Sequence, residues 1–212
     1  MSVVVNERPH YGETVRVRTW PRGTEKLFAI RDYEIRDSKD KQLVQARSCW
    51  LIIDVEKRRP LRPHTVADKL PLNEGWNSLP SGAVNLGERF IDLKEQQNLV
   101  NPVEFKAAYS DLDYNGHVNN VSYIRWIQDA TDPALLENAA YMRLDINYLN
   151  EILPAETLNL WTRPIKGETY PNSVADASPD NVNTHEIPYQ TFAFEGRKTG
   201  DATAFRAELQ LR

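Results

Sequence analysis

Alternation of apolar and polar side chains dominates the chain and predicts strands along most of it. Val15 and Val17 alternate with Arg16 and Arg18, residues 26–35 form a second alternating run, and residues 43–55 are rich in branched and aromatic side chains, the period-two signature of strands. Pro21-Arg22-Gly23 and Asp37-Ser38-Lys39-Asp40 carry turn residues and predict short antiparallel connections. Beyond residue 60 the period fades, because Pro60, Pro63, Pro71 and Pro80 with Gly75, Gly82 and Gly87 interrupt any long element. This stretch reads as a crossing linker with short helical turns. Alternation returns at Val103, Phe105, Ala107 and Tyr109, then yields to three-residue steps at Val118, Val121, Ile124 and Ile127, widened by Tyr123, Trp126 and Ala130. That rhythm predicts one buried helix over residues 118–130. Met142, Leu144, Ile146 and Tyr148 restart the strand pattern, and Leu158, Leu160 and the runs 190–195 and 203–211 continue it. The polar run 176–183 predicts a loop. A sheet wrapped around one helix is an α+β architecture. The first half looks like the same unit without its helix, so the expected division is an N-terminal unit 1–62, a linker 63–101 and a second unit 102–212.

Composition narrows the function classes. The chain has 212 residues, and 26 Lys and Arg against 30 Asp and Glu give a net charge of −4. This argues against generic nucleic-acid binding, which needs a concentrated basic face. Lys57, Arg58, Arg59 and Arg62 form a local basic cluster that suits an acidic partner, or else a solvated turn after a strand. The single cysteine, Cys49, excludes an intrachain disulfide framework and zinc sites built from two cysteines. It is expected to be buried as a small hydrophobe. A reducing compartment is the default. The longest apolar run, residues 49–53, is far too short to span a bilayer, and the start carries no basic and apolar leader pattern. A cytoplasmic location without membrane contact is therefore expected.

The densest polar cluster is Asp111-Leu-Asp113-Tyr-Asn115-Gly-His117-Val-Asn119-Asn120, between a predicted strand and the predicted helix. In an extended approach Asp113, Asn115 and His117 project to one side and converge on the first helical turn. The amides of Val118 and Asn119 could there receive a carbonyl oxygen and stabilise the charge developing on it. Acyl transfer to water is the natural chemistry of such a set. Helix capping alone explains one or two of these residues and leaves His117 unaccounted for. A calcium loop fits the first half of the run, but its twelfth position is Ser122 and a strand precedes it where an entering helix is needed.

At these residues the sequence resembles the acyl-acyl-carrier-protein (acyl-ACP) thioesterases of plants and bacteria. Their signature Asp-Leu-Asp-x-Asn-x-His-Val-Asn-Asn-x-x-Tyr-Ile-x-Trp is reproduced from Asp111 to Trp126. The stretch from Pro9 through Trp20 to Pro21, and the stretch from Ala46 to Asp54 with Arg58, Arg59 and Pro60, resemble further parts of the family. The resemblance implies a tandem hotdog fold, each unit a curved antiparallel sheet around a helix, and release of fatty acid from acyl-ACP. It carries the catalytic set onto Asp113, Asn115 and His117, and through the motif Tyr-x-x-Glu onto Glu151, which follows Tyr148. No metal or organic cofactor is implied. Where plant members carry a cysteine after that Glu, this chain has Ile152, so the expected mechanism is direct attack by water. His117 and Glu151 would activate or position the water, Asn115 would hold it or the carbonyl, and Asp113 would orient its neighbours. Whether Asp113 or Glu151 is the base stays open. The basic cluster would meet the acidic carrier protein. Family members also begin with a strand and a helix that this sequence lacks, leaving an apolar sheet face to be covered by the linker or by another chain, and so admitting a homodimer. The rival readings are a hotdog thioesterase acting on acyl-CoA and a non-catalytic acyl-binding hotdog.

Overall fold

A computed structural model describes residues 1–54, 56–57, 59–63, 70–73, 75–87, 90, 102–165 and 189–212. They fall into two compact units that part between Val84 and Asn85. The loop expected at 176–183 lies outside the described residues.

In the first unit, β1 (Ser2–Val5), β2 (Arg16–Glu25), β3 (Phe28–Arg36) and β4 (Gln42–Leu51) pair antiparallel in the order β2-β3-β4-β1. A two-residue ribbon, β5 (Ile53–Asp54) against β6 (Arg59–Pro60), follows. The turn expected at residues 37–40 is present, with Asp37 Oδ1 accepting the N–H groups of Lys39 and Lys41 at 2.9 and 2.8 Å. The turn expected at Pro21-Arg22-Gly23 is absent: β2 runs through it, its register slipping between Pro21 and Gly23. Gly23, at φ +137°, absorbs the extra residue as a bulge, and the chain reverses at Lys26 and Leu27 instead.

One face of this sheet carries a buried ion pair. Asp32 and Arg47 stand opposite each other, Arg47 donating to both carboxylate oxygens at 2.6 and 2.8 Å. Residues expected to be bare linker close over that face. Trp76 stacks on Trp20 at 4.7 Å, Asn77 Oδ1 accepts from Arg47 at 2.8 Å, and the Ser78 N–H donates to Asp32 at 2.9 Å. Every charge buried there thus has partners, which is the condition for burying it at all. The opposite face leaves Val17 and Trp50 exposed, and the described residues of this unit include no α-helix. Cys49 is exposed near the end of β4, contrary to the burial expected of it, because no described element covers the strand there.

The second unit comprises β7 (Val103–Lys106), a 3-10 turn (Tyr109–Asp111), α1 (Asn120–Asp129), α2 (Pro133–Asn138), β8 (Met142–Tyr148), β9 (Thr157–Ile165), β10 (Gln190–Lys198) and β11 (Thr203–Leu211), its sheet ordered β8-β11-β10-β9-β7. The apolar face of this sheet packs on α1. Tyr123 meets Phe205 and Tyr148 edge-on at 5.2 and 5.3 Å, and Trp126 stacks on Phe105 at 5.5 Å. Tyr123, Trp126 and Ile127 are all buried, each stabilising the unit by about 1.5–3 kcal/mol or more through apolar area removed from water. Gly196 permits this packing, since a Cβ there would lie 2.3 Å from Phe205 Cε1. The other face holds Asp145, Glu195 and Glu208, all buried. Arg143 pairs with Asp145 at 2.8 Å and Arg206 with Glu195 at 3.0 Å.

Two boundaries and one additional element bear on the site. The strand at Val103 stops at Lys106, because the chain leaves the sheet there and winds into the 3-10 turn that starts at Tyr109. The helix starts at Asn120 rather than at 118, since Asn119 caps it, its side chain accepting the Val121 N–H at 2.9 Å. Helix α2 was unexpected, although Asp132 capping Ala134 at 2.9 Å with Pro133 in the first position is a sequence-readable start.

Candidate active site

The polar run lies in a tight loop between the 3-10 turn and α1. It is not extended: Leu112 and Val118 bridge antiparallel, the Asp113 N–H donates to His117 O at 2.9 Å, and the Gly116 N–H donates to Asp113 O at 3.1 Å. Gly116 sits at φ +81°, the left-handed region that favours glycine. The closed loop gathers the three expected side chains by a different route from strand alternation. Asp113 Oδ1 accepts the Asn115 N–H at 2.8 Å, and Asp113 Oδ2 accepts from the Asn115 side-chain amide at 3.3 Å.

His117 stands between two carboxylates. Its Nδ1 lies 3.7 Å from Asp113 Oδ1 and its Nε2 lies 3.9 Å from Glu151 Oε1. Glu151 comes from the connection between β8 and β9, and one backbone bond joins the two segments, the Val118 N–H donating to Ile152 O at 2.8 Å. All four residues expected in the catalytic set, Asp113, Asn115, His117 and Glu151, are therefore on two adjoining loops of one unit. His117 and Asp113 are about a quarter exposed and Glu151 about half, at 28, 25 and 49%, so water reaches them.

The rest of the motif is scaffold. Asp111 is buried, paired with Arg125, and accepts the Ala108 N–H at 2.8 Å. Both of its carboxylate oxygens are thereby engaged, and among the described residues no three His, Cys, Asp or Glu side chains converge as metal ligands. The amides of Val118 and Asn119, expected to stabilise an oxyanion, are both taken. Val118 donates to Ile152 O and Asn119 donates to Asp111 O, each at 2.8 Å. The cause is the late helix start, which spends residue 118 on a bridge and residue 119 on the cap. Among the described residues no acceptor meets the Asn120 N–H, the first of α1.

Two tyrosines that sequence reasoning left without a role frame the site. Burial pushes the Tyr123 hydroxyl up to about 12, against a hydrogen bond with the Ile152 backbone. Burial also raises Tyr148, whose hydroxyl donates to Asn120 O at 3.2 Å. Both stay protonated near neutrality. Tyr123 and Tyr148 are fixed letters of the two motifs, and that is the signal that could have marked them. In the first unit, Lys57, Arg59 and Arg62 of the basic cluster are exposed around the β5–β6 ribbon, while Arg58 lies outside the described residues.

Comparison with known proteins decides the lineage. The acyl-ACP thioesterase N-terminal domain model matches residues 1–70 and the C-terminal domain model matches residues 94–196. The chain belongs to the acyl-ACP thioesterase family. A chloroplastic palmitoyl-acyl carrier protein thioesterase of Cuphea hookeriana is 31% identical over 162 residues, covering 71% of this chain and 36% of the relative. The chain thus spans about a third of the length of the curated relatives it matches. Among solved structures, an acyl-ACP thioesterase from Bacteroides thetaiotaomicron aligns over 100% of this chain and 74% of its own, with TM-score 0.67 and 20% identity. The 12:0-ACP thioesterase from Umbellularia californica aligns over 100% of this chain and 71% of its own, with TM-score 0.67 and 18% identity. The fold is accordingly the tandem hotdog of this family, as the α+β reading and the resemblance expected.

Proposed function

We propose that the chain hydrolyses the thioester of a fatty acyl-ACP, releasing free fatty acid and the carrier protein. The observation that carries this reading is His117 held between Asp113 and Glu151, 3.7 and 3.9 Å away, in a chain of this family. With Nδ1–H turned to the Asp113 carboxylate, Nε2 is left as the acceptor. A water between Nε2 and Glu151 loses a proton to this pair as its oxygen attacks the acyl carbon. The carbonyl oxygen gathers negative charge, and the second N–H of the Asn115 side-chain amide, the first being given to Asp113, and the Asn120 N–H are the donors offered to it. The C–S bond then breaks, the proton passes to the departing phosphopantetheine sulfur, and the fatty acid leaves. A cysteine nucleophile has no place in the scheme: position 152 is a fully buried isoleucine, and the only cysteine, Cys49, is in the first unit.

The acidic carrier is favoured over a coenzyme A substrate by the exposed Lys57, Arg59 and Arg62, with Arg58 beside them in sequence. A cytoplasmic location is part of the same proposal and rests on the single-cysteine composition. The test is turnover of a graded-length panel of acyl-ACP thioesters beside the matching acyl-CoAs, read by free-thiol release. Faster release from acyl-ACP is the expected result. Equal or faster release from acyl-CoA removes the carrier assignment, and ligand-induced thermal stabilisation with no release from either makes the chain an acyl-binding protein.

A further inference from the structure

Glu151 lies in a connection without regular structure between β8 and β9, so its backbone depends on neighbours for its position. Before it, the Leu149 and Asn150 N–H groups both donate to Ala204 O, at 2.8 and 3.0 Å. After it, Ile152 is fully buried and tied to Val118. At Glu151 itself the carbonyl accepts from Lys198 Nζ at 2.9 Å. The same ammonium pairs with Glu156 Oε2 at 2.8 Å, and that oxygen also accepts the Leu153 N–H at 2.7 Å. Lys198 therefore spans the connection from residue 151 to residue 156. It is the last residue of β10, laddered to Leu158 and donating its own N–H to Ala202 O at 2.9 Å, so its base is rigid. Its side chain is only 18% exposed and that of Glu156 33%, so the Lys198 stem is packed while its ammonium reaches the surface. Burial alone would raise the Glu156 carboxyl, but the Leu153 N–H and the Lys198 ammonium outweigh it and hold the carboxyl below its ordinary value.

We propose that Lys198 is a positioning residue: locked to Glu156 at the end of β10, its ammonium fixes the Glu151 backbone so that the Glu151 carboxylate faces His117 Nε2. Nothing in the sequence marks it, since Lys198 and Glu151 are 47 positions apart. The inference rests on the hydrolase reading only where activity is the readout, and the geometric claim is tested separately. Lys198→Met should lower kcat for acyl-ACP by about 10-fold to 100-fold, the scale of a displacement of roughly 1 Å at a reacting group, with KM little changed. Lys198→Arg should recover most of that loss. In a Glu151→Gln background Lys198→Met should cost nothing further, because the residue through which it acts is already gone. An unchanged kcat in Lys198→Met, or the same fold-loss in the Glu151→Gln background, overturns the proposal. Hydrogen–deuterium exchange of the 149–156 segment, measured on the same proteins, should rise in Lys198→Met and not in Lys198→Arg. Unaltered exchange overturns the clamp even in a protein that turns nothing over, whereas a wild type that is silent but shows the exchange effect retires the hydrolase reading and keeps the clamp.

Discussion

The two units solve the problem of a two-faced sheet differently. In the second, the apolar face is sealed by Tyr123, Trp126 and Ile127 of α1, and the charges on the other face are paired and buried. In the first, it is the charged face, with Asp32 and Arg47, that is closed by Trp76, Asn77 and Ser78, while Val17 and Trp50 of the other face stay 65 and 51% exposed. The candidate catalytic side chains are found over the sealed sheet. A helix filling a sheet is thus both core and platform, because the loop entering it inherits the rigidity of the packing beneath.

The sharpest division between platform and chemistry is His117→Ala. It should lower kcat/KM for acyl-ACP by about 10³-fold, within the range for loss of an acid–base group, with the thermal midpoint unmoved; a matching loss of stability would mean that site and platform are not separable. Next, Trp126→Ala should destabilise the second unit by about 3–5 kcal/mol in chemical denaturation, the cost of emptying a buried aromatic position. Val17→Ala in the first unit should cost under about 0.5 kcal/mol, as for an exposed side chain, and similar costs for both would erase the contrast. Gly196→Ala drives a methyl toward the Phe205 ring, 2.3 Å away, and should cost about 1–3 kcal/mol of strain in the same assay. The smallest effect is titrational. Glu156 has a folded-state value below its ordinary 4.5, so its contribution is fully present above that pH and is lost as pH falls from there through the lower folded value. Thermal midpoints of wild type and Glu156→Gln should therefore differ near neutrality and converge below pH 4.5, and a gap that persists in acid would contradict the ion pair with Lys198.

Legibility followed the range of the interaction. Strands β8 and β11 coincide with their alternating runs, because each has one face on α1 and the period reports that face directly. The four catalytic candidates were readable from motif spacing, yet the geometry that unites three of them was not: a loop closed by the Leu112–Val118 bridge and Gly116 replaces the extended approach. Pro21-Arg22-Gly23 misled because a bulge and a turn draw on the same residues. The amides of Val118 and Asn119 looked free because a helix start in sequence does not say which carbonyls come near it. Lys198 and the covering role of Trp76 to Ser78 depend on partners dozens of residues away, and no local pattern encodes those.

The bond from the Val118 N–H to the Ile152 carbonyl has a consequence for redesign. It joins the His117 loop to the Glu151 loop through main-chain atoms, so this tie does not depend on which apolar side chain stands at 118 or 152. Within the volume those buried positions allow, one apolar residue can be exchanged for another while the candidate pair keeps its register. Proline at 118, which has no N–H to give, is the substitution that would let the two loops drift apart.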